Sequence, residues 1–378
     1  MTGRTGHAWS VPMRPGPTNS MADVAGLRVG HAQRVGEGYL TGVSVVVAPP
    51  EGAVAGVDVR GAAPGTRETE LLDPRNLVER VHAIVLTGGS AFGLSAACGV
   101  MQRLADEGIG FPVAGGVVPI VPSAVIYDLG RGGGFRATPD GELGAAAYDA
   151  AVAATPSASS ASASSASASS ASASSASASS VSAPAAAAPA RNGSIGAGTG
   201  AVAGGLAGGV GTASAVLPSG VTVAALAVVN AAGSVLDPGG GLLSGTRYGL
   251  AGEFGDIGEP DLDEVARWQP VKAPSFNTTI GVVATDLTLS KAQCGKLAGV
   301  AHDGLARAIR PAHTMVDGDT VFAMSTCGRP GADTELHDVL AAGADVFSRA
   351  VAHAVLHATG REGAPAYLDV FPSARKRG

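Results

Sequence analysis

SFNTTIGVVATD, residues 275–286, sets one Asn and two threonines at the mouth of an apolar run rich in β-branched residues. That run reads as a buried strand. The simplest role for Thr278 and Thr279 is to begin it, since β-branched side chains suit a pleated, half-buried surface. Asn277-Thr278-Thr279 also has the form of an N-glycosylation acceptor, which would require export. Residues 1–20 hold Arg4, Arg14 and three prolines but no apolar core, so no export signal is expected and the glycosylation reading falls.

Working outward, 378 residues with 46% hydrophobic content can bury a substantial core as two ordinary domains or one large α/β unit. Glycine, at 56 residues, is about twice its usual share, and aromatics are 4%, which predicts close packing of helices and strands around many tight turns. The net charge of −6 and the scattered Lys and Arg leave no basic stripe, so nucleic acid is excluded as a partner. Cys98, Cys294 and Cys327 are too far apart for a zinc knuckle and too few for a disulfide framework, which is typical of a reducing compartment. No stretch resembles a lipid-facing span. A cytoplasmic protein without a membrane partner is expected.

Residues 1–20 read as a disordered leader and 21–378 as a single domain. Within it, 151–190 is a Ser/Ala-rich insertion with almost nothing to bury, expected to be unstructured. TGVSVVVAPP is a strand ending at a proline turn, and LVERVHAIVLTGGSAFGLSAACGVMQRLADEG is a strand, a glycine turn and a helix of about 15 residues. The mixture of β runs with late helices favours a layered α/β sandwich over a regular βαβ repeat.

Several motifs weigh less than they first suggest. GAGTGA (Gly196–Ala201) satisfies G-x-G-x-x-A, but no strand leads into it and no Asp or Glu occurs between Asp149 and Asp237, so it lacks the context of a dinucleotide site. Its glycines read as close backbone packing. His353 and His357 stand one helical turn apart without the Glu or third ligand of a zinc site, and read as a helix surface. GGSAFGLS follows a strand and opens a helix, yet neither Ser90 nor Ser95 sits in a G-x-S-x-G frame. A serine hydrolase using either residue is a competing reading.

Taken in order, ADVAGLRVGHA, VLTGGSAFGLSAA, VPIVPSAVIYDL, GAGTGA, VVNAAGSVLD, NTTIGVVATD and HTMVDGDTVFAMST span residues 22–326. Together they resemble the L-aminopeptidase/D-esterase (DmpA-like) peptidase family, which includes the nylon-oligomer hydrolases. The resemblance implies a four-layer α/β/β/α sandwich of the N-terminal-nucleophile type. It also implies self-cleavage between Asn277 and Thr278 into an α chain, 1–277, and a β chain, 278–378. Thr278 would then carry both a nucleophilic hydroxyl and a free α-amine, whose ordinary pKa of about 7.7–8.0 suits it to act as its own base.

The same resemblance assigns Asn230 as an oxyanion donor and Tyr127 as its support. Asp317 and Asp319, on a strand beside the nucleophile, would orient the hydroxyl and hold the new ammonium. It implies no cofactor or metal, a small peptide or amide (and perhaps ester) substrate, and a homo-oligomer of processed units. Two departures stand out: the chain has no Lys before Lys272, where nylon-oligomer hydrolases place one after GAGTGA, and Val125 and Ile126 replace the acid that precedes the Tyr in peptidases acting on free amino termini. An unprocessed, non-catalytic binding protein is therefore a further alternative.

Overall fold

Runs that are apolar at nearly every position are what sheets buried on both faces require, and the chain uses them in that way. The structure, a computed structural model, describes residues 12–154, 191–270, 276–331 and 333–376. In chain order the strands of its two large sheets are β1 (Arg28–Gly36), β2 (Tyr39–Val47), β3 (Ala53–Val59), β4 (Thr66–Arg67), β5 (Arg80–Val81), β6 (Ala83–Thr87), β7 (Ser123–Val125), β8 (Gly209–Val216), β9 (Thr222–Asn230), β10 (Thr278–Leu287) and β11 (Thr320–Arg329). One sheet is ordered β1-β2-β6-β7-β4 and the other β8-β9-β10-β11-β3-β5. The long helices are α1 (Ala96–Asp106), α2 (Gly141–Ala153), α3 (Lys291–Ala308) and α4 (Asp333–Leu356).

Alternation along each strand sorts the side chains into three apolar layers. On β9, Ala224, Leu226 and Val228 point between the sheets while Val223, Ala225, Ala227 and Val229 point to α3 and α4. On β2, Val46 points between the sheets while Val43, Val45 and Val47 pack under α1 and α2. The result is the expected α/β/β/α order. Strands β10 and β11 are parallel, and α3 supplies the crossover that a parallel pair needs. The apolar stretch Glu335–Leu356 of α4 is long enough to cross a membrane, but 78% of it is buried, as in a core helix.

Glycine lets the layers close. A Cβ added at Gly30 on β1 would stand 2.1 Å from the Ala147 carbonyl oxygen of α2, and one at Gly211 on β8 would stand 2.0 Å from that of Ala350 on α4. The helix predicted after GGSAFG is interrupted: a single turn, Ser90–Gly93, precedes α1.

Residues 151–153, assigned to the unstructured insertion, are the end of helix α2, so the insertion begins later than the sequence suggested. Two further sequence readings need correction. Residues 12–20, assigned to a disordered leader, are tied to the core. The backbones of Arg14 and Val216 exchange hydrogen bonds of 3.2 and 2.8 Å, and the Asn19 side-chain oxygen Oδ1 accepts from Arg349 (2.7 Å) and from the Ser214 N–H (2.9 Å). Secondly, His353 is buried against Glu253 (2.8 Å) rather than on a helix surface. Burial alone would raise the Glu253 pKa, but bonds from His353 and Arg349 bring it down to about 2. Residues 1–11 of the leader and 155–190 of the insertion lie outside the described residues.

His302 on α3 is fully buried; its Nε2 lies 2.9 Å from the Asp58 carbonyl oxygen, and its Nδ1 has no hydrogen-bond partner among the described residues. Burial, followed by the charge of His313, lowers its pKa from 6.5 to about 4. The folded state therefore disfavours the proton, so this group's stabilisation is complete above pH 6.5 and is lost as pH falls from 6.5 toward 4. Thermal melts across that window should show a steep fall in Tm for the wild type and a shallower one for His302→Gln.

Candidate active site

The antiparallel register of β9 and β10 places Asn230 directly opposite Thr278. Directly opposed residues share a face, and alternation from Ile280, Val282 and Ala284 puts Thr278 on the face between the sheets. Thr279 takes the opposite face, where its hydroxyl is buried and unpartnered among the described residues. Parity thus distinguishes two threonines that look equivalent in the sequence.

The Thr278 hydroxyl lies 2.5 Å from the carbonyl oxygen of Asn277, to which it donates. The same oxygen accepts the Gly318 N–H at 3.2 Å. Asn277 is 1% exposed and Thr278 5%, so the intervening peptide bond is shielded from bulk water. The parallel ladder pairs Ile280 with Thr320 and continues in a bridge between Asn277 and Asp317, which brings Gly318 across from Thr278. A Cβ at Gly318 would stand 3.0 Å from the Thr278 hydroxyl and 2.6 Å from the Ala63 carbonyl oxygen. Only glycine fits there without displacing a neighbour.

Asp317 and Asp319 flank Gly318 and therefore project away from the face that carries the Thr278 hydroxyl. Asp319 accepts the Thr279 N–H (2.8 Å) on one oxygen and both the N–H and Nδ1 of His313 (3.0 and 2.8 Å) on the other. Asp317 accepts from the Thr314 N–H and hydroxyl (2.9 and 2.5 Å). In the intact chain the pair holds the strand start and its neighbouring loop, and neither carboxylate bonds the hydroxyl it was expected to orient.

Asn230 is fully buried at the end of β9. Its side-chain oxygen accepts from Arg131 (2.5 Å) and from the Val202 N–H (3.1 Å), and its Nδ2 donates to the Tyr127 carbonyl oxygen (3.2 Å). The Tyr127 ring lies 5.7 Å from that of Phe276, and its hydroxyl makes no hydrogen bond among the described residues. Tyr127, Phe276, Asn277, Thr278, Ser90 and Val125 help to line one cavity of about 250 Å³, and no charged side chain lines it among the described residues.

Ser90 reaches this cavity with a left-handed backbone (φ 51°), while Ser95 donates to the carbonyl oxygens of Phe92 and Pro139. No histidine bonds either serine among the described residues, so neither has the base a serine hydrolase needs. GAGTGA forms a buried turn: the Gly200 carbonyl oxygen accepts from Arg131 (2.6 Å) and Arg361 (2.9 Å), and the Ala201 carbonyl oxygen from Arg361 (2.7 Å).

Sequence reading missed Gly318, His313, Arg131 and Asp128. The buried carboxyl of Asp128 accepts the Gly89 N–H (2.6 Å) and the Thr41 hydroxyl (2.7 Å), fixing the turn beside the cavity. Burial raises its pKa against the opposing effect of those bonds and of the Arg131 charge. Glycine within DGD was the one available signal, because an acid-flanked glycine also reads as an ordinary turn.

The profile of peptidase family S58 matches residues 19–366. An uncharacterized aminopeptidase of Mycobacterium tuberculosis is 45% identical over 94% of this chain and 99% of its own length. The 6-aminohexanoate-oligomer endohydrolase of a Kocuria strain is 29% identical over 84% of this chain and 78% of its own. Among solved structures, the L-aminopeptidase D-Ala-esterase/amidase of Ochrobactrum anthropi, described as a variant of the Ntn hydrolase fold, superposes with a TM-score of 0.63 at 19% identity, covering 94% of this chain and 92% of that one. The chain belongs to peptidase family S58, shares the Ntn hydrolase fold of that neighbour and is a hydrolase of peptide and amide bonds.

Proposed function

We propose that the chain matures by cutting itself between Asn277 and Thr278, and that Thr278 then serves as the N-terminal nucleophile for substrate. The observation that supports this most directly is the carbonyl oxygen of Asn277, held at once by the Thr278 hydroxyl (2.5 Å) and the Gly318 N–H (3.2 Å). Attack of the hydroxyl oxygen on that carbonyl carbon moves charge onto an oxygen already facing an N–H donor. The Thr278 nitrogen takes up the hydroxyl proton as the C–N bond breaks, leaving an ester between Asn277 and the Thr278 oxygen. Water hydrolyses the ester, releasing the Asn277 carboxylate and a Thr278 with a free α-amine.

In turnover the α-amine accepts the hydroxyl proton, the Thr278 oxygen is acylated, and the proton passes to the departing amine. Water then returns the enzyme by the reverse sequence of proton transfers. The Asn230 amide and the Tyr127 hydroxyl are the donors proposed for the substrate oxyanion. Among the described residues no charged side chain lines the cavity, so an ammonium on the acyl group would meet no side-chain counter-charge there.

Purified protein should resolve into two fragments on denaturing electrophoresis, with N-terminal sequencing of the smaller giving Thr278. Thr278→Ala should remain one folded, inactive chain, and Thr278→Ser should still cut; a smaller fragment beginning at Thr279 would refute the assignment. Gly318→Ala should slow self-cleavage by about tenfold or more, read as the time course of fragment appearance, because its Cβ displaces the hydroxyl from its near-attack position. In self-cleaved material Asn230→Ala should lower kcat by about 100- to 1,000-fold with a smaller change in KM.

A further inference from the structure

An asparagine can stabilise an oxyanion only with its NH2 end, so something must decide which end of the Asn230 amide faces the substrate. Two donors meet its oxygen: Arg131 Nη1 at 2.5 Å and the Val202 N–H at 3.1 Å. With the oxygen thus committed, Nδ2 has one hydrogen on the Tyr127 carbonyl oxygen (3.2 Å), and its second makes no bond among the described residues; the residue itself stands opposite Thr278 in the ladder.

We propose that Arg131 is a positioning residue for the amide hydrolysis argued above. Its guanidinium locks the Asn230 amide with the N–H end toward the reaction centre and, through the carbonyl end, polarises that N–H as charge develops. This inference rests on Asn230 acting as the oxyanion donor.

Three further observations support it. The Arg131 guanidinium is fixed from a second direction by the Gly200 carbonyl oxygen at 2.6 Å, and its Nη2 is buried without a partner among the described residues, so its charge is poorly screened there. Burial lowers its pKa to about 10, partly offset by Asp128, which leaves it cationic at neutral pH. Finally, no Lys precedes Lys272, and Arg361, a half-buried cation that meets the same turn, bonds the Gly200 and Ala201 carbonyl oxygens rather than Asn230. Arg131 alone therefore links a positive charge to the amide.

The test compares Arg131→Met, Arg131→Lys and Arg361→Met in the full-length, self-cleaved protein, with Thr278→Ala in parallel, using one amide substrate that the wild type turns over. Arg131→Met should lose about 10- to 100-fold in kcat, the scale on which partners that orient a first-contact ligand act, with KM within about threefold and near-UV circular dichroism unchanged. Arg131→Lys, or N-methylguanidinium added to Arg131→Ala, should restore much of the loss. Arg361→Met, which removes a cation from the same GAGTGA turn without touching Asn230, should keep kcat within about threefold. Self-cleavage of Arg131→Met should go to completion, because the Asn277 carbonyl oxygen is held by Gly318.

Equal losses in Arg131→Met and Arg361→Met would reduce Arg131 to loop packing and overturn the proposal. So would a folded Arg131→Met chain that stays uncut, or one that keeps its kcat. Turnover by Thr278→Ala would instead refute the proposed nucleophile, which separates the failure of that reading from the failure of this one.

Discussion

The register of three strands carries the rest of the structure. β9 sets Asn230 opposite Thr278, and the parallel ladder from β10 to β11 brings Gly318 across from the same residue. Side chains alternate with a period of two, so a slip of one residue would turn Thr278 toward the helices and bring Thr279 to the cleft. Such a slip would also exchange Ile280, Val282 and Ala284 for Gly281, Val283 and Thr285 on the face between the sheets. The hydrophobic energy of a doubly covered sheet, at about 25 cal/mol per Å² of apolar surface, opposes that exchange along the whole strand. Core burial along β10 therefore enforces the geometry of one hydroxyl at its end.

Close approach is the second constraint. At Gly318 a side chain would meet both the hydroxyl and the Ala63 carbonyl oxygen, and Gly30 and Gly211 let α2 and α4 rest directly on strand backbones. A chain so rich in glycine and poor in aromatics builds its interior from backbone contacts, with small side chains filling the space that remains. The cost in unfolded-chain entropy is offset by layers that cannot slide relative to one another. A site that depends on fractions of an ångström gains from that rigidity.

Polar groups around the cleft divide into two sets. Behind the strand start, Asp317 and Asp319 gather N–H groups from Thr279, His313 and Thr314 and so tether a loop to β10. Behind Asn230, Arg131 and Arg361 saturate the carbonyl oxygens of the GAGTGA turn. Negative charge lies on the side of the nitrogen that would become an ammonium, and positive charge on the side where a carbonyl oxygen would gain charge. Buried groups of this kind keep their partners because leaving any one unsatisfied costs more than the bond is worth in water.

Much of this was legible in the sequence, though unevenly. Apolar runs such as VTVAALAVVN and TTIGVVATD announced doubly buried strands because alternation with both faces apolar leaves no polar position, and the seven ordered segments identified the family and its layered fold. The same resemblance brought Asn230, Tyr127 and Thr278 forward. What it could not supply was anything that depends on residues meeting across distant segments. The anchoring of residues 12–20 arises from Asn19 and Arg349, and the burial of His353 from Glu253, pairs separated by a hundred residues or more. DGD read as two acids aimed at a nucleophile, whereas strand parity turns both away and presents the glycine between them. Arg131 had no signal at all, because a lone arginine in a glycine-rich loop looks like surface until the loop folds against β9. The sequence alone determined the strands, which follow from local periodicity and residue type, and, through the resemblance of seven ordered segments, the family and its layered fold. Only tertiary structure decided which of two threonines faces the cleft, which atom lies beside the Asn277 carbonyl and which charge stands behind the Asn230 amide, because those depend on register and on close approach between chain segments that no local pattern encodes.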